Sequence, residues 1–135
     1  MKILIVEDDR NYRFVLYELL HLQGHDVLVV SDALHAIALL DERDNAIDLV
    51  LLDLRMPRLS GDQVMETFAH WGECRARFIV MSGHLDSSRF KDHPKVIGCL
   101  QKPIEGQLLI DTVNRAAKLV ADEKKAADKK SVAAT

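Results

Sequence analysis

The sequence predicts an α/β domain: a doubly wound parallel sheet with helices on both faces. Three observations carry this. Five short apolar runs recur at similar intervals, helical patterns fill the gaps between them, and a length of 135 residues fits one core. The runs are Ile3 to Val6, Val27 to Val30, Leu49 to Leu52, Phe78 to Met81 and Val96 to Leu100. They are rich in Ile, Val and Leu and lack polar alternation, as strands buried on both faces do. Between the runs, Tyr12, Val15, Leu16, Leu19 and Leu22 fall on one helical face, as do Ala33, Ala36, Ile37 and Leu40. Val64, Met65 and Phe68 form a third such face, Leu109, Val113, Ala116 and Val120 the last, and the polar stretch from Leu85 to Asp92 fills the remaining gap. Gly24, Gly72 and Pro94 mark segment ends, and Ser31 and Ser60 are candidate helix caps. Strand alternating with helix gives right-handed βαβ units and one domain over residues 1–121. Residues 122–135 are a charged Ala/Lys-rich tail, a helical extension or disordered; with no apolar stripe to bury, that end is expected to fray.

Composition removes several function classes. Nearly half of the residues are apolar and 29% are charged, far from the signature of disorder. A formal charge of -3, without a basic block before the tail, lacks the electrostatic footprint of a nucleic-acid binder. The first apolar run is too short for a signal-peptide core or a membrane span, so a cytoplasmic protein without a membrane partner is expected. Cys74 and Cys99 stand apart and read as reduced thiols.

In open α/β sheets ligands bind beyond the carboxyl ends of the strands, so the residues that follow each run are the informative ones. Run one is followed by Glu7-Asp8-Asp9, run three by Asp53, run four by Ser82, and run five, after Gln101, by Lys102-Pro103. Taken singly each has a plain structural reading: a helix start, a loop acid, a turn hydroxyl and a loop before a helix. Gathered on one rim they make a site. Clustered carboxylates repel unless a cation compensates, and hard oxygen ligands suit Mg²⁺. A carboxylate beside Mg²⁺ can attack phosphorus and become an aspartyl phosphate, while the metal, an ammonium and a hydroxyl balance the charge.

Ile-Val-Glu7-Asp8-Asp9, Leu-Leu-Asp53-Leu-Arg55-Met56-Pro57 with Gly61, Met81-Ser82-Gly83 and Lys102-Pro103 together resemble the receiver domains of two-component response regulators, over about residues 2 to 121. The resemblance implies a flavodoxin-like five-stranded sheet of order 2-1-3-4-5 with five helices, as in the single-domain chemotaxis regulators. It implies Asp53 as phosphoacceptor, Glu7 and Asp8 as the acidic pair, Ser82 as switch hydroxyl and Lys102 as the phosphoryl-contacting lysine. Mg²⁺ would be held by Asp8, Asp53 and the main-chain carbonyl of Arg55, with Glu7 acting more often through water and Asp9 a second-rank neighbour. Gly83, His84 and Arg55 sit at the rim, where the last two influence how long a phosphoryl group survives. Phosphate would come from a histidine kinase, a histidine phosphotransfer protein or a small phosphodonor. The surface of the fourth helix, fifth strand and fifth helix would then act on an unidentified protein, from a monomer or a phosphorylation-dependent dimer. The resemblance also implies a domain that assists its own phosphorylation and dephosphorylation and is not otherwise an enzyme.

Cys99 departs from the family, standing three residues before Lys102 where receivers usually carry Tyr or Phe, which puts the mode of readout in doubt. That leaves room for a receiver-like adaptor that works without phosphorylation. A phosphatase of the haloacid dehalogenase type would want a second acid two residues after its nucleophile, where this chain has Arg55. A further alternative is the receiver part of a longer regulator, with the tail as the start of a linker.

Overall fold

Side chains alternate across each strand, and here both faces are apolar, so each strand feeds two cores at once. The computed structural model describes residues 1–42, 45–56, 63, 65–67, 75–83 and 90–133. On one face Leu4, Val6, Val50, Leu52, Phe78 and Val80 pack with Ala33, Ala36 and Met65. On the other, Ile3, Ile5, Leu49, Leu51, Ile79 and Met81 pack with Leu16, Leu20, Leu109, Val113 and Ala116.

The elements in chain order are β1 (Lys2–Val6), α1 (Arg10–Leu22), β2 (Asp26–Val30), α2 (Ala33–Asp41), β3 (Leu49–Asp53), β4 (Arg77–Ser82), β5 (Val96–Gln101) and a C-terminal helix (Gly106–Ala133). All five apolar runs are strands, paired in parallel in the flavodoxin-like order β2-β1-β3-β4-β5. Residues 65–67 are helical as well. The expected positions Ser60, Val64, Phe68, Gly72, Cys74 and Leu85 lie outside the described residues, and with them most of the stretch from Leu85 to Asp92 where a helix is expected.

Local chemistry moves some boundaries away from the sequence pattern. The Asp9 carboxylate caps α1 by accepting the Tyr12 N–H at 2.8 Å, and the face that packs on the sheet carries Tyr12, Leu16, Leu19 and Leu20. Val15 and Leu22, which the periodicity assigns to that face, are 49% and 76% exposed. Asp32, not Ser31, caps α2, because its carboxylate reaches the His35 N–H at 2.8 Å from one residue nearer the helix. Gly24 ends the α1 turn with φ +87, where a side chain would be strained. Gly98 lets the C-terminal helix approach β5, since a Cβ there would lie 2.9 Å from Thr112 Cγ2.

Past Val120 the C-terminal helix continues to Ala133. Its first turn past Val120 makes polar contacts with the sheet. Arg77 pairs with Glu123, and Lys124 Nζ lies 3.0 Å from Asp48 Oδ1, at the opposite end of the sheet from the acidic cluster. Asp48 is buried; its Oδ2 accepts the Lys2 N–H at 2.9 Å, and Arg75 Nη2 lies 3.5 Å from Oδ1. The Oδ1 contacts are ion pairs rather than well-directed hydrogen bonds. Burial alone would raise the Asp48 pKa, but the Lys2 N–H and the Lys124 ammonium outweigh it and hold the carboxyl below its usual range. A depressed pKa stabilises the fold above the unfolded value, and that contribution disappears on acidification. Asp48→Asn is therefore expected to cost about 1–2 kcal/mol at neutral pH. Urea unfolding checks this, with the difference from wild type narrowing as the pH falls.

Candidate functional site

Parallel register brings the strand ends level. Val6 stands beside Val30 and Leu52, Asp53 beside Met81, and Ser82 beside Gln101. The chain leaves β1 to one side for β2, while β3 lies on its other side, and a crevice opens at such a reversal. Glu7, Asp8, Asp53, Ser82 and Lys102 all emerge on this rim.

Glu7, Asp53 and Ser82 are buried and Asp8 is exposed. Glu7, Asp8 and Asp53 each offer a carboxylate oxygen within 4.8 Å of the others. Lys102 Nζ donates to Glu7 Oε1 at 2.8 Å, to Glu7 Oε2 at 2.7 Å and to Asp53 Oδ2 at 3.1 Å. Asp53 Oδ1 accepts the Arg55 N–H at 3.0 Å, so the chain after β3 folds back over the carboxylate. Lys102 is itself placed by its backbone N–H, which donates to the Ser82 carbonyl at 2.7 Å, ahead of a cis bond to Pro103. Arg13 Nη1 donates to the Glu7 carbonyl at 2.9 Å and fixes the end of β1.

Burial raises the Glu7 carboxyl from 4.5 to about 7, against the Lys102 hydrogen bond and with help from the Asp53 charge. Burial would lower the Lys102 pKa, but the bond to Glu7 and the charges of Asp53 and Glu7 turn the net shift upward. Lys102 is thus an ammonium that only partly offsets its acidic neighbours. Three hard oxygen donors, one of them open to solvent, fit a small divalent cation of the Mg²⁺ kind.

The structure brings together Glu7, Asp8, Asp53, Ser82 and Lys102 from the expected set. Asp9 does not join the three carboxylates that converge, since its own is spent capping α1. Gly83 is exposed at the rim after Ser82, whereas His84, Pro57 and Gly61 lie outside the described residues. Cys99 is half-buried on β5 beside the α2-side core, and burial pushes its thiol up.

One contributor was not legible as such. Tyr12 reads in the sequence as a core-facing residue of α1, yet Lys102 Nζ sits 4.7 Å from its ring centroid. Its hydroxyl accepts the Ile104 N–H at 3.3 Å. A polar-tipped aromatic in the first turn after an acidic triplet was the available signal.

Comparison with known proteins agrees with this geometry. Residues 3–114 match the response regulator receiver domain, and the chain belongs to that family. It is 48% identical over 60 residues to the transcriptional regulatory protein CpxR of Klebsiella pneumoniae, covering 44% of this chain and 25% of that one. To the transcriptional regulatory protein FlgR of Helicobacter pylori it is 33% identical over 129 residues, covering 93% of this chain and 32% of FlgR. The chain thus spans a quarter to a third of the length of these relatives. A crystal structure of a response regulator receiver domain protein from Clostridium thermocellum superposes with a TM-score of 0.77 at 26% identity, covering 91% of this chain and 96% of that one. Among the described residues no helix is long and apolar enough to cross a membrane.

Glu7 titrates higher in the folded protein than in the unfolded chain, so its contribution to stability is greatest in acid and is lost as the pH rises through about 7. In metal-free buffer, Glu7→Gln should exceed wild type by about 1–3 kcal/mol in mild alkali and converge with it in acid. Thermal unfolding across pH checks this; a constant difference would contradict it.

Proposed function

We propose that this receiver domain is a phosphorelay switch that takes a phosphoryl group onto Asp53 in a Mg²⁺-dependent reaction. The observation that carries the reading is the placement of Lys102 Nζ against both Glu7 and Asp53, inside a carboxylate triad at the strand ends. Asp8, Asp53 and the Arg55 carbonyl are the groups to hold the metal, with Glu7 behind them. When bound, Mg²⁺ supplies positive charge to the oxygens of the transferring group.

An Asp53 carboxylate oxygen attacks phosphorus in line, and the phosphorus bond to the donor breaks with its electron pair leaving on the donor. Lys102 then turns from Glu7 toward the phosphoryl oxygens, its ammonium answering the added charge. The Ser82 hydroxyl bonds a second oxygen, and this differential bonding shifts the chain after β4. Phosphohistidine on a kinase or phosphotransfer protein is the fitting macromolecular donor, and an acyl phosphate a small one. The output is a change in the surface around β5 and the C-terminal helix, read by a protein partner in the cytoplasm or by a second copy. Cys99 in place of an aromatic residue puts the weight of that readout on Ser82. CpxR and FlgR carry transcriptional regulation in their names over lengths that this chain spans only in part, and nucleic-acid contact is outside the proposal.

Intact-mass analysis after incubation with acetyl phosphate and Mg²⁺ tests this reading. Wild type should gain one phosphoryl group, Asp53→Asn and the chelated protein none, and Lys102→Ala should react about tenfold or more slowly. Equal addition to wild type and Asp53→Asn would refute it.

A further inference from the structure

The geometry points to Tyr12 as a positioning residue for the phosphoryl-transfer site, holding the Lys102 ammonium on its ring face while that ammonium exchanges partners. The inference rests on the phosphorelay reading and adds to it a residue outside the acidic, hydroxyl and lysine set.

Lys102 Nζ meets three carboxylate oxygens, two on Glu7 and one on Asp53, as many acceptors as it has N–H donors. For the ammonium to meet a phosphoryl group at Asp53, at least the Glu7 bonds must break. A partner that attracts positive charge without consuming an N–H can hold the nitrogen through that exchange, and an aromatic face does so. Tyr12 offers one at 4.7 Å. The contact is half-buried at both residues, where such an attraction is stronger than in open water.

The ring is fixed from two directions. Its hydroxyl accepts the N–H of Ile104, two residues past Lys102, so the same side chain grips the loop that carries the lysine. Burial pushes the phenol above its ordinary value, which keeps it neutral. At its other end the Tyr12 backbone N–H is held by the Asp9 carboxylate, the cap of α1. Asp9 thereby acts on the site indirectly: it sets the helix start that aims Tyr12 beneath Lys102. A Leu or Ile at position 12 would fill the same apolar space but offer no such charge contact.

The test compares wild type, Tyr12→Phe and Tyr12→Leu in the full chain. The rate of phosphoryl incorporation from acetyl phosphate at saturating Mg²⁺ is expected to fall about fivefold in Tyr12→Leu; Tyr12→Phe loses only the long 3.3 Å hydroxyl contact and keeps the ring face, so it should stay within about twofold of wild type. Mg²⁺ affinity should be unchanged in both variants, because none of the three carboxylates is altered. Loss of rate in Tyr12→Phe equal to that in Tyr12→Leu, or no loss in either, overturns the inference. A second readout needs no phosphodonor: the ring face should shift the Lys102 ε-methylene protons upfield in proton NMR of wild type. Unshifted ε protons in wild type overturn the contact outright. Absence of any Asp53-dependent phosphorylation with the shift present overturns the phosphorelay reading and leaves Tyr12 as a support for a charged lysine.

Discussion

Glu7 and Asp53 lie side by side at the ends of adjacent central strands, and their burial is tolerable because one ammonium, that of Lys102, stands between them. Much of the rim follows from this constraint. The lysine must reach inward from the end of β5, so its backbone is tied to Ser82 on β4, and its ammonium lies over the Tyr12 ring on α1. Burial, which the single positive charge does not offset, is why Glu7 keeps its proton to about 7, and the acidic charge left over is why a divalent cation suits the cluster.

The two ends of the sheet use charge in opposite ways. At the amino-terminal end Asp48 is surrounded by Lys2, Arg75 and Lys124 contacts that depress its pKa, an arrangement that favours the folded state. At the carboxyl-terminal end acids outnumber the ammonium and Glu7 is raised, which costs stability and leaves the rim responsive to added charge. Such opposition is expected where one end of a domain anchors and the other does chemistry.

The strands and their parallel pairing were readable in the sequence because strands buried on both faces leave unbroken apolar runs, and Asp53, Ser82 and Lys102 could be placed by their position just after those runs; the order of the strands came only through the resemblance. Helix phase was less readable. Val15 and Leu22 satisfy a helical repeat as well as Leu16 and Leu20 do, and packing against the sheet decides which face turns inward. The α1 cap keeps the Asp9 carboxylate out of the cluster formed by Glu7, Asp8 and Asp53, an outcome that composition alone leaves open. Contacts between residues far apart in the chain were invisible: Glu123 and Lys124 look like solvated charges until Arg77 and Asp48 meet them, and Tyr12 looks like core until Lys102 arrives above it.

The central claim is that Lys102 trades its bonds to Glu7 for bonds to a phosphoryl group on Asp53. A crystal structure of the protein with Mg²⁺ and beryllofluoride, a mimic of the phosphoryl group, tests it most directly. The account predicts beryllofluoride on an Asp53 oxygen, Lys102 Nζ and the Ser82 hydroxyl on its fluorines, and Glu7 released from the lysine. Beryllofluoride absent from Asp53 at saturating concentration, or bound there with Lys102 still on both Glu7 oxygens, would contradict it.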